Sequence, residues 1–496
     1  MSAMHHHLSR RARRFLGGCA ASVLISAVAV SPALAAQKKS EPDRLELLEQ
    51  QIKILQQQVQ DLKASQASKY AEVKKATDEQ AKVVTLDNGR PTFKKGDFSA
   101  SLRALVQFDA AYYSGDHAAG GQDLNSGSNF RRARIGLDGT LGKGWDYSFI
   151  YDFGGSGVEG STISAAWIQF SGLKPFKFRL GAFAPYTSLE DSGGASDTLF
   201  LERASSVEIA RGLAGGDGRS AFQVTAAGDR YFASVAYTGA RVGASGTFDE
   251  QQALLGRVAG LFLARENMKI ILGANGTYIF RPADNTAGPN STPATFTISN
   301  APELRVDDTG TAGAALSLIS SGAISASRVT QWGLDGAAQW KSLYGEGGYF
   351  AFALSRRGNG IANSDPRFSG WYAQASWVLT GETRRYDAPS ASFRSPKVNK
   401  PFTAGPDSGW GAWEAAVRYS VMDLNYADNR STAVGGIRGG EQDIWTLGLN
   451  WYPNNAVRFS LNYLLIDVDR RSGATAPFTV IDQKDQAVAL RSQVAF

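Results

Sequence analysis

The sequence predicts an all-β fold: a 16-stranded antiparallel transmembrane β-barrel preceded by a short coiled-coil helix. Three observations lead there. In Phe98–Tyr113 the even positions (Phe98, Ala100, Leu102, Ala104, Val106, Phe108, Ala110, Tyr112) are all apolar and the odd ones mostly polar, a period of two that makes a strand with one greasy and one wet face. Such segments recur to the end of the chain, joined by short turns and long loops in alternation, as in outer-membrane barrels. Aromatic residues stand at both ends of several apolar bands, and the last residue is Phe496.

Taken in order, the chain of 496 residues opens with a targeting segment. Arg10, Arg11, Arg13 and Arg14 form a basic start, Phe15–Val30 is apolar, and Ala33-Leu34-Ala35 is a small-residue cleavage site, so residues 1–35 read as a signal peptide. A lipoprotein box at Leu16-Gly17-Gly18 before Cys19 is rejected, because almost no apolar region precedes it. Four Arg and no acid leave with the segment, so the mature chain holds 48 basic and 46 acidic residues and offers no argument for nucleic acid. The only cysteine leaves as well, which excludes disulfides and thiol ligands.

Residues 36–66 form the expected periplasmic coiled-coil segment. Leu45, Leu48, Ile52, Leu55, Val59 and Leu62 alternate three and four apart, a heptad seam. It covers under three heptads, too little to stand alone. Its core residues lean toward two strands, and an amphipathic helix packed on its own protein is the other reading. Residues 67–97 read as a linker.

From 98 to 496 sixteen strands are expected, starting near 98, 130, 145, 162, 175, 219, 231, 253, 268, 329, 343, 367, 411, 442, 456 and 484. Short turns fall at Leu141–Gly144, Gly172–Lys174, Gly228–Arg230, Arg265–Asn267 and Tyr452–Asn455, and long loops at 114–129, 184–218, 281–328, 423–441 and 467–483. Residues 381–410 break the rule, being long on the short-turn side: an unusual periplasmic excursion or a miscounted strand. Trp332 with Trp340, and Trp371 with Trp377, bracket apolar bands as belts at two membrane interfaces do.

The opposite parity lines the interior. Its basic residues are Arg103, Arg132, Arg134, Lys177, Arg179, Arg257, Lys269, Arg418, Arg458 and Arg491, with Arg257 ambiguous; its acids are Asp109, Asp138, Asp146, Asp152, Asp335 and Glu414. Rings of Arg and Lys favour anions in a pore, and guanidinium matches the paired oxygens of phosphate. The plain alternative is a solvated wall in which bases and acids pair.

Six stretches then carry a resemblance: FRRARIGLDGTLGKGWDYSFIYDFGG (130–155), APYTSLEDSGG (184–194), FLERA (200–204), WVLTGETRRY (377–386), GAWEAAVRYSVMDLN (411–425) and GLNWYPNNAVRFSLNY (448–463). The chain resembles the phosphate-selective porin O and P family over nearly all of 98–496. The resemblance implies a homotrimeric porin that passes small anions, phosphate among them, through a basic channel narrowed by an inward-folded third loop. It matches Arg131, Arg132 and Arg134 to the family's basic wall; Arg131 lies on the outward parity. The third loop, 184–218, departs from the pattern. It holds Glu190, Asp191, Asp197, Glu202, Glu208 and Asp217 against Arg203 and Arg211, and no Lys, where phosphate-selective members place one. An acidic constriction that binds phosphate weakly is therefore expected, with Arg203 and Arg211 as the loop's candidate anion-binding residues.

The rivals are a general or sugar-permeable porin, which would want an aromatic track along the lumen, and a barrel anchor tethering the envelope through its coiled coil. An enzyme is not expected: a hydrolase barrel needs a His base, and the mature chain keeps only His117, in a Gly/Ala loop. Neither a cofactor nor a metal is expected. The expected partners are permeant anions, outer-membrane lipid, two further copies of the chain, and the barrel-assembly machinery through Phe496, in the outer membrane of a Gram-negative cell.

Overall fold

The computed structural model describes residues 41–81, 84–87, 89–115, 121–154, 162–243, 249–286, 291–306, 316–357, 365–406 and 408–496. The signal segment and His117 lie outside them. Two units divide the chain, Met1–Thr77 and Asp78–Phe496.

The described residues of the first unit, 41–77, are helical. Helix α1 spans Glu41–Ala81, so it runs well past the expected end at 66. The stretch expected to be a linker divides into the rest of this helix and a hairpin of Val84–Asp87 with Arg90–Lys95. Residues 67–81 interrupt the seam with Lys69 and keep only Val73 and Ala76 on it, but are rich in Ala, Lys and Glu, which favour helix regardless of packing. Along the seam Leu45, Ile52, Leu55 and Leu62 are all exposed.

The second unit is a closed barrel. Its strands are β1 (Phe98–Gly115), β2 (Gly127–Leu141), β3 (Trp145–Asp152), β4 (Thr162–Phe170), β5 (Phe176–Phe183), β6 (Arg219–Ala227), β7 (Tyr231–Arg241) and β8 (Gln252–Arg265), then β9 (Met268–Arg281), β10 (Ala326–Trp340), β11 (Leu343–Arg356), β12 (Arg367–Val378), β13 (Ala412–Tyr426), β14 (Ile437–Tyr452), β15 (Val457–Ser472) and β16 (Thr479–Ala495). Each pairs antiparallel with the next, and β16 closes on β1 with Arg491 opposite Asp109 and Val494 opposite Val106. Closure leaves no free edge in the band that faces lipid. Below that seam the backbones of Ala104 and Phe496 exchange hydrogen bonds of 3.0 and 3.1 Å. The hairpin continues the wall there, with Thr92 opposite Ser101.

The alternation sorts the side chains as expected. On β16 the inward residues Gln483, Asp485, Ala487, Ala489, Arg491 and Gln493 are buried, while Val488, Leu490 and Val494 are exposed. Outward aromatics form two belts. Near the long loops Tyr419 lies 4.6 Å from Trp445 and 5.4 Å from Trp371; near the short turns Trp451 lies 5.6 Å from both Trp413 and Phe459.

The buried core lies inside the barrel. The third loop carries helix α2 (Leu189–Ser192) and helix α3 (Ser205–Ala214). Ala204, Val207 and Ala210 join a cluster with Phe350, Tyr372, Met422 and Leu464 of the wall. The long connection between β9 and β10 folds back as a hairpin of Phe296–Asn300 with Ile319–Ile324, and Ile298 and Leu304 enter the same cluster. Residues 381–410 hold no miscounted barrel strand. They form a small hairpin, Arg385–Asp387 with Ser392–Arg394, and Phe393 packs on Tyr344 of the inner wall at 5.0 Å.

Candidate functional site: the barrel lumen

Third-loop seating begins with helix termini. Ala204 N–H donates to Glu190 at 3.3 Å and Ser205 N–H donates to Glu303 at 2.8 Å, so two carboxyl groups from outside α3 satisfy its first N–H groups. At α2, Leu189 N–H donates to Asp335 of β10 at 3.0 Å, and Ser188 caps Asp191. Glu303 holds this place in a left-handed backbone conformation, φ 55°.

Wall arginines complete the seat. Arg131 donates to Glu202 through Nε at 2.7 Å and Nη2 at 3.1 Å. Arg491 binds Asp109 with two bonds of 2.6 Å, and reaches the Leu201 carbonyl at 2.6 Å and Glu202 at 3.2 Å. Arg418 donates to the Glu202 carbonyl at 2.9 Å, pairs with Glu303, lies 3.7 Å from Glu190 and stacks over Phe200 at 4.5 Å. Arg458 reaches the Thr198 carbonyl at 2.8 Å. Arg257, ambiguous in the sequence, points inward and binds Ser192 Oγ at 3.1 Å and the Ser390 carbonyl at 2.7 Å. It ties the third loop to the 381–410 insertion. Each of these five guanidinium groups is at most 2% exposed, so each needs such partners to be tolerated.

Two expectations need correction. Arg131 does not face outward. Arg132 pairs with Gln107 while Phe130 pairs with Phe108, so Arg131 is the extra residue of a β-bulge; the bulge turns Arg131 and Arg132 inward together. Nor does the third loop present an acidic face to the pore. Glu190, Asp191 and Glu202 are 6, 8 and 4% exposed. Asp191 pairs with Arg203 at 3.3 Å and Arg211 at 2.9 Å; Arg211 also reaches Asp217 at 3.0 Å, and Arg203 lies 3.6 Å from Glu208. Loop acids and loop bases neutralise one another and the wall instead of facing water.

Burial and pairing set the loop's proton affinities. Burial pushes the Glu190 carboxyl up to about 8, with Glu346 adding to the rise and Arg418, Arg203 and the Ala204 N–H opposing it. Burial acts on Glu202 in the same sense, but Arg131, Arg132 and Arg491 outweigh it and hold that carboxyl far below its ordinary range. Asp197 is also held low: Arg394, Ser395 and Arg384 overcome its burial.

Of the remaining basic residues Arg132 is equally buried, at 2% exposed, and the others are less enclosed. Arg134 bridges Asp152 and Asp217 at 2.6 Å each. Arg132 donates to Gln107 at 2.8 Å. Arg103 keeps half its side chain exposed and shares Asp138 with Arg90 of the hairpin, 3.3 Å from each. Lys177, Arg179 and Lys269 are partly buried. Sequence reasoning missed Arg90, Glu303, Arg384 and Arg394. Arg384 pairs with Glu414 at 3.0 Å, and Arg394 with Asp197 at 3.3 Å. The available signal was charge: 381–410 is rich in Arg and Lys, opposite an acidic third loop.

The family match agrees with this geometry. The family model described as "Phosphate-selective porin O and P" matches residues 100–496. Porin O of Pseudomonas aeruginosa is 28% identical over 387 residues, covering 75% of this chain and 84% of that protein. An uncharacterized protein of Caulobacter vibrioides is 26% identical over 389 residues, 76% of this chain and 71% of its own. Among solved structures, the trimer form of OmpT from Vibrio cholerae has a TM-score of 0.46 at 10% identity, covering 80% of this chain and 99% of that one. The anion-selective porin from Comamonas acidovorans has a TM-score of 0.44 at 13% identity, covering 80% and 100%. A closed sixteen-stranded barrel with a charged interior, matched by the family model over residues 100–496, belongs to the phosphate-selective porin O and P family of outer-membrane porins.

Proposed function

We propose that this porin passes small anions, phosphate among them, down their gradients. The observation that carries the reading is the sign of the charges left facing water. Arg103, Lys177, Arg179 and Lys269 on the wall and Arg90 of the hairpin remain partly exposed, against Asp138, Asp146 and Glu346 of the wall. Of the third-loop acids that would have opposed them, Asp191 and Glu202 are buried in ion pairs and Glu190 is buried beside Arg418, while Asp197, Glu208 and Asp217 are paired with arginines and only partly exposed. Mobile anions then concentrate along the wall within a screening length of about 8 Å. Reversal potentials of the purified protein in a tenfold KCl gradient test this. Chloride preference over potassium, with the chloride current reduced by added phosphate, is expected; potassium preference would refute it.

In this reading the short turns, the N-terminal helix and the 381–410 insertion face the periplasm, and Phe496 at the barrel seam serves recognition by the assembly machinery. Three copies associate, with the exposed Leu45–Leu62 seams of α1 bundled together. A cysteine at Ile52, the mature chain's only thiol, should cross-link subunits; dimers as the largest native species would argue against the trimer.

A further inference from the structure

Arg179 differs from every other lumen arginine described above. Its guanidinium lies over the Trp167 ring, with Cζ 4.2 Å from the centroid, and 5.3 Å from that of Phe183. Its Nε donates to Gln169 Oε1 at 3.0 Å. The Gln169 amide is itself fixed, since its Nε2 donates to Asp146 at 3.1 Å and Asp146 accepts from Ser171 at 2.9 Å. Nε is taken, which leaves the edge formed by the two Nη groups. Among the described residues that edge has no carboxylate, carbonyl or hydroxyl partner. Lys177, two residues away on the same inward face of β5, has none either.

We propose that Arg179 is an oxoanion subsite of the lumen, binding two oxygens of one carboxylate or phosphate group on its free Nη edge, with Lys177 as a neighbouring charge. This rests on the anion-porin reading above and adds where and by what geometry the anion is held. A guanidinium edge presents parallel donors that match two oxygens on one atom, whereas a halide meets them as a single point. Stacking and the Gln169 bond fix the edge before the anion arrives, so little ordering remains to be done on binding. Arg131, Arg418 and Arg491 cannot serve in this way, because their Nη groups already bind the third loop or its neighbours.

The test measures half-block of the chloride current of the purified protein by inorganic phosphate and, separately, by acetate. The two arms distinguish a phosphate site from a carboxylate site. R179Q should raise the half-blocking concentration about tenfold, as expected for the loss of a charge-assisted pair of bonds. R179K should do nearly the same, because an ammonium keeps the charge but neither stacks nor presents the parallel donors. W167L should weaken block by a smaller factor. K341Q, on a turn beside the outward-facing Trp340, should leave block unchanged, and heat-resistant migration of each variant confirms folding. If R179K is blocked like wild type, charge alone accounts for the site and the geometric claim fails. If R179Q is blocked like wild type, the subsite lies elsewhere. A wild-type channel that prefers potassium would overturn the anion reading along with it.

Discussion

On β15 and β16, Arg458 and Arg491 are 2% exposed and donate to the third-loop carbonyls of Thr198 and Leu201. On β1 and β5, Arg103 and Arg179 point into the same lumen and keep part of their surface in water. Side-chain chemistry does not separate these pairs; the packing opposite each wall does. The third loop, the β9–β10 hairpin and the 381–410 insertion press on the wall from β8 through β16, where an arginine must find acceptors or remain a costly buried charge. The wall from β1 to β5 meets less of this filling at its short-turn end, and its cations remain available to ions. One barrel thus uses arginine as a structural anchor where the inserted segments fill it, Arg131 of β2 included, and as an electrostatic surface at the short-turn end of β1 to β5.

The largest effect should come from breaking the anchored side at its most shared acceptor. Glu202→Gln removes the carboxylate that Arg131 holds bidentately and the second of the two that Arg491 holds, whose other is Asp109. Stranding a buried charge costs about 3–5 kcal/mol, so the third loop should leave its seat. Faster proteolysis within 184–218 and larger, noisier conductance steps are expected; wild-type protection would show that the anchors hold without it.

A smaller effect follows from pH. The Glu190 carboxyl titrates near 8 when the loop is seated and near its ordinary 4.5 when released. Between those values the seated loop holds a proton that the released loop has lost. Seating therefore weakens as pH rises from about 4.5 to about 8, and levels off above. Protease protection should be higher at pH 5 than at pH 9, and Glu190→Gln should flatten that slope. A slope of opposite sign would mean that Arg418 and Arg203 dominate over burial.

The smallest effect tests the boundary between the two walls. Arg394 pairs with Asp197 and Asp387 but keeps a third of its side chain exposed. Partly solvated pairs contribute under about 1 kcal/mol, so Arg394→Gln should change loop protection only slightly. A loss as large as that of Glu202→Gln would place Arg394 among the anchors.

Much of the barrel was legible because alternation is a local signal. The expected starts at 98, 145, 162, 219, 231, 268, 343 and 367 coincide with the strands. Expectation ran late at β14 and β16, which begin at Ile437 and Thr479 instead of near 442 and 484. There the outward positions carry Glu441, Asp443 and Asp482, so the strand continues beyond its apolar band and the periodic signal stops. The bulge at Arg131 was hidden because one added residue reverses parity without changing composition. The lumen contacts were hidden by distance along the chain: Arg491 meets Asp109 across 382 residues and Arg418 meets Glu303 across 115. Inward parity could place those arginines inside the barrel, but only the folded loops could show which of them remain available to ions.

The most direct test is the chloride-to-potassium permeability ratio at low salt, compared between the double variant Arg103→Gln/Lys177→Gln and the single variant Arg458→Gln. The double variant should lower the ratio, with the difference fading near 1 M salt, where the screening length falls to about 3 Å. Arg458→Gln should leave it near wild type, because Arg458 is enclosed by Thr198, Gln493 and Tyr452. A ratio that falls for Arg458→Gln and holds for the double variant would contradict the division into an anchoring wall and an open one.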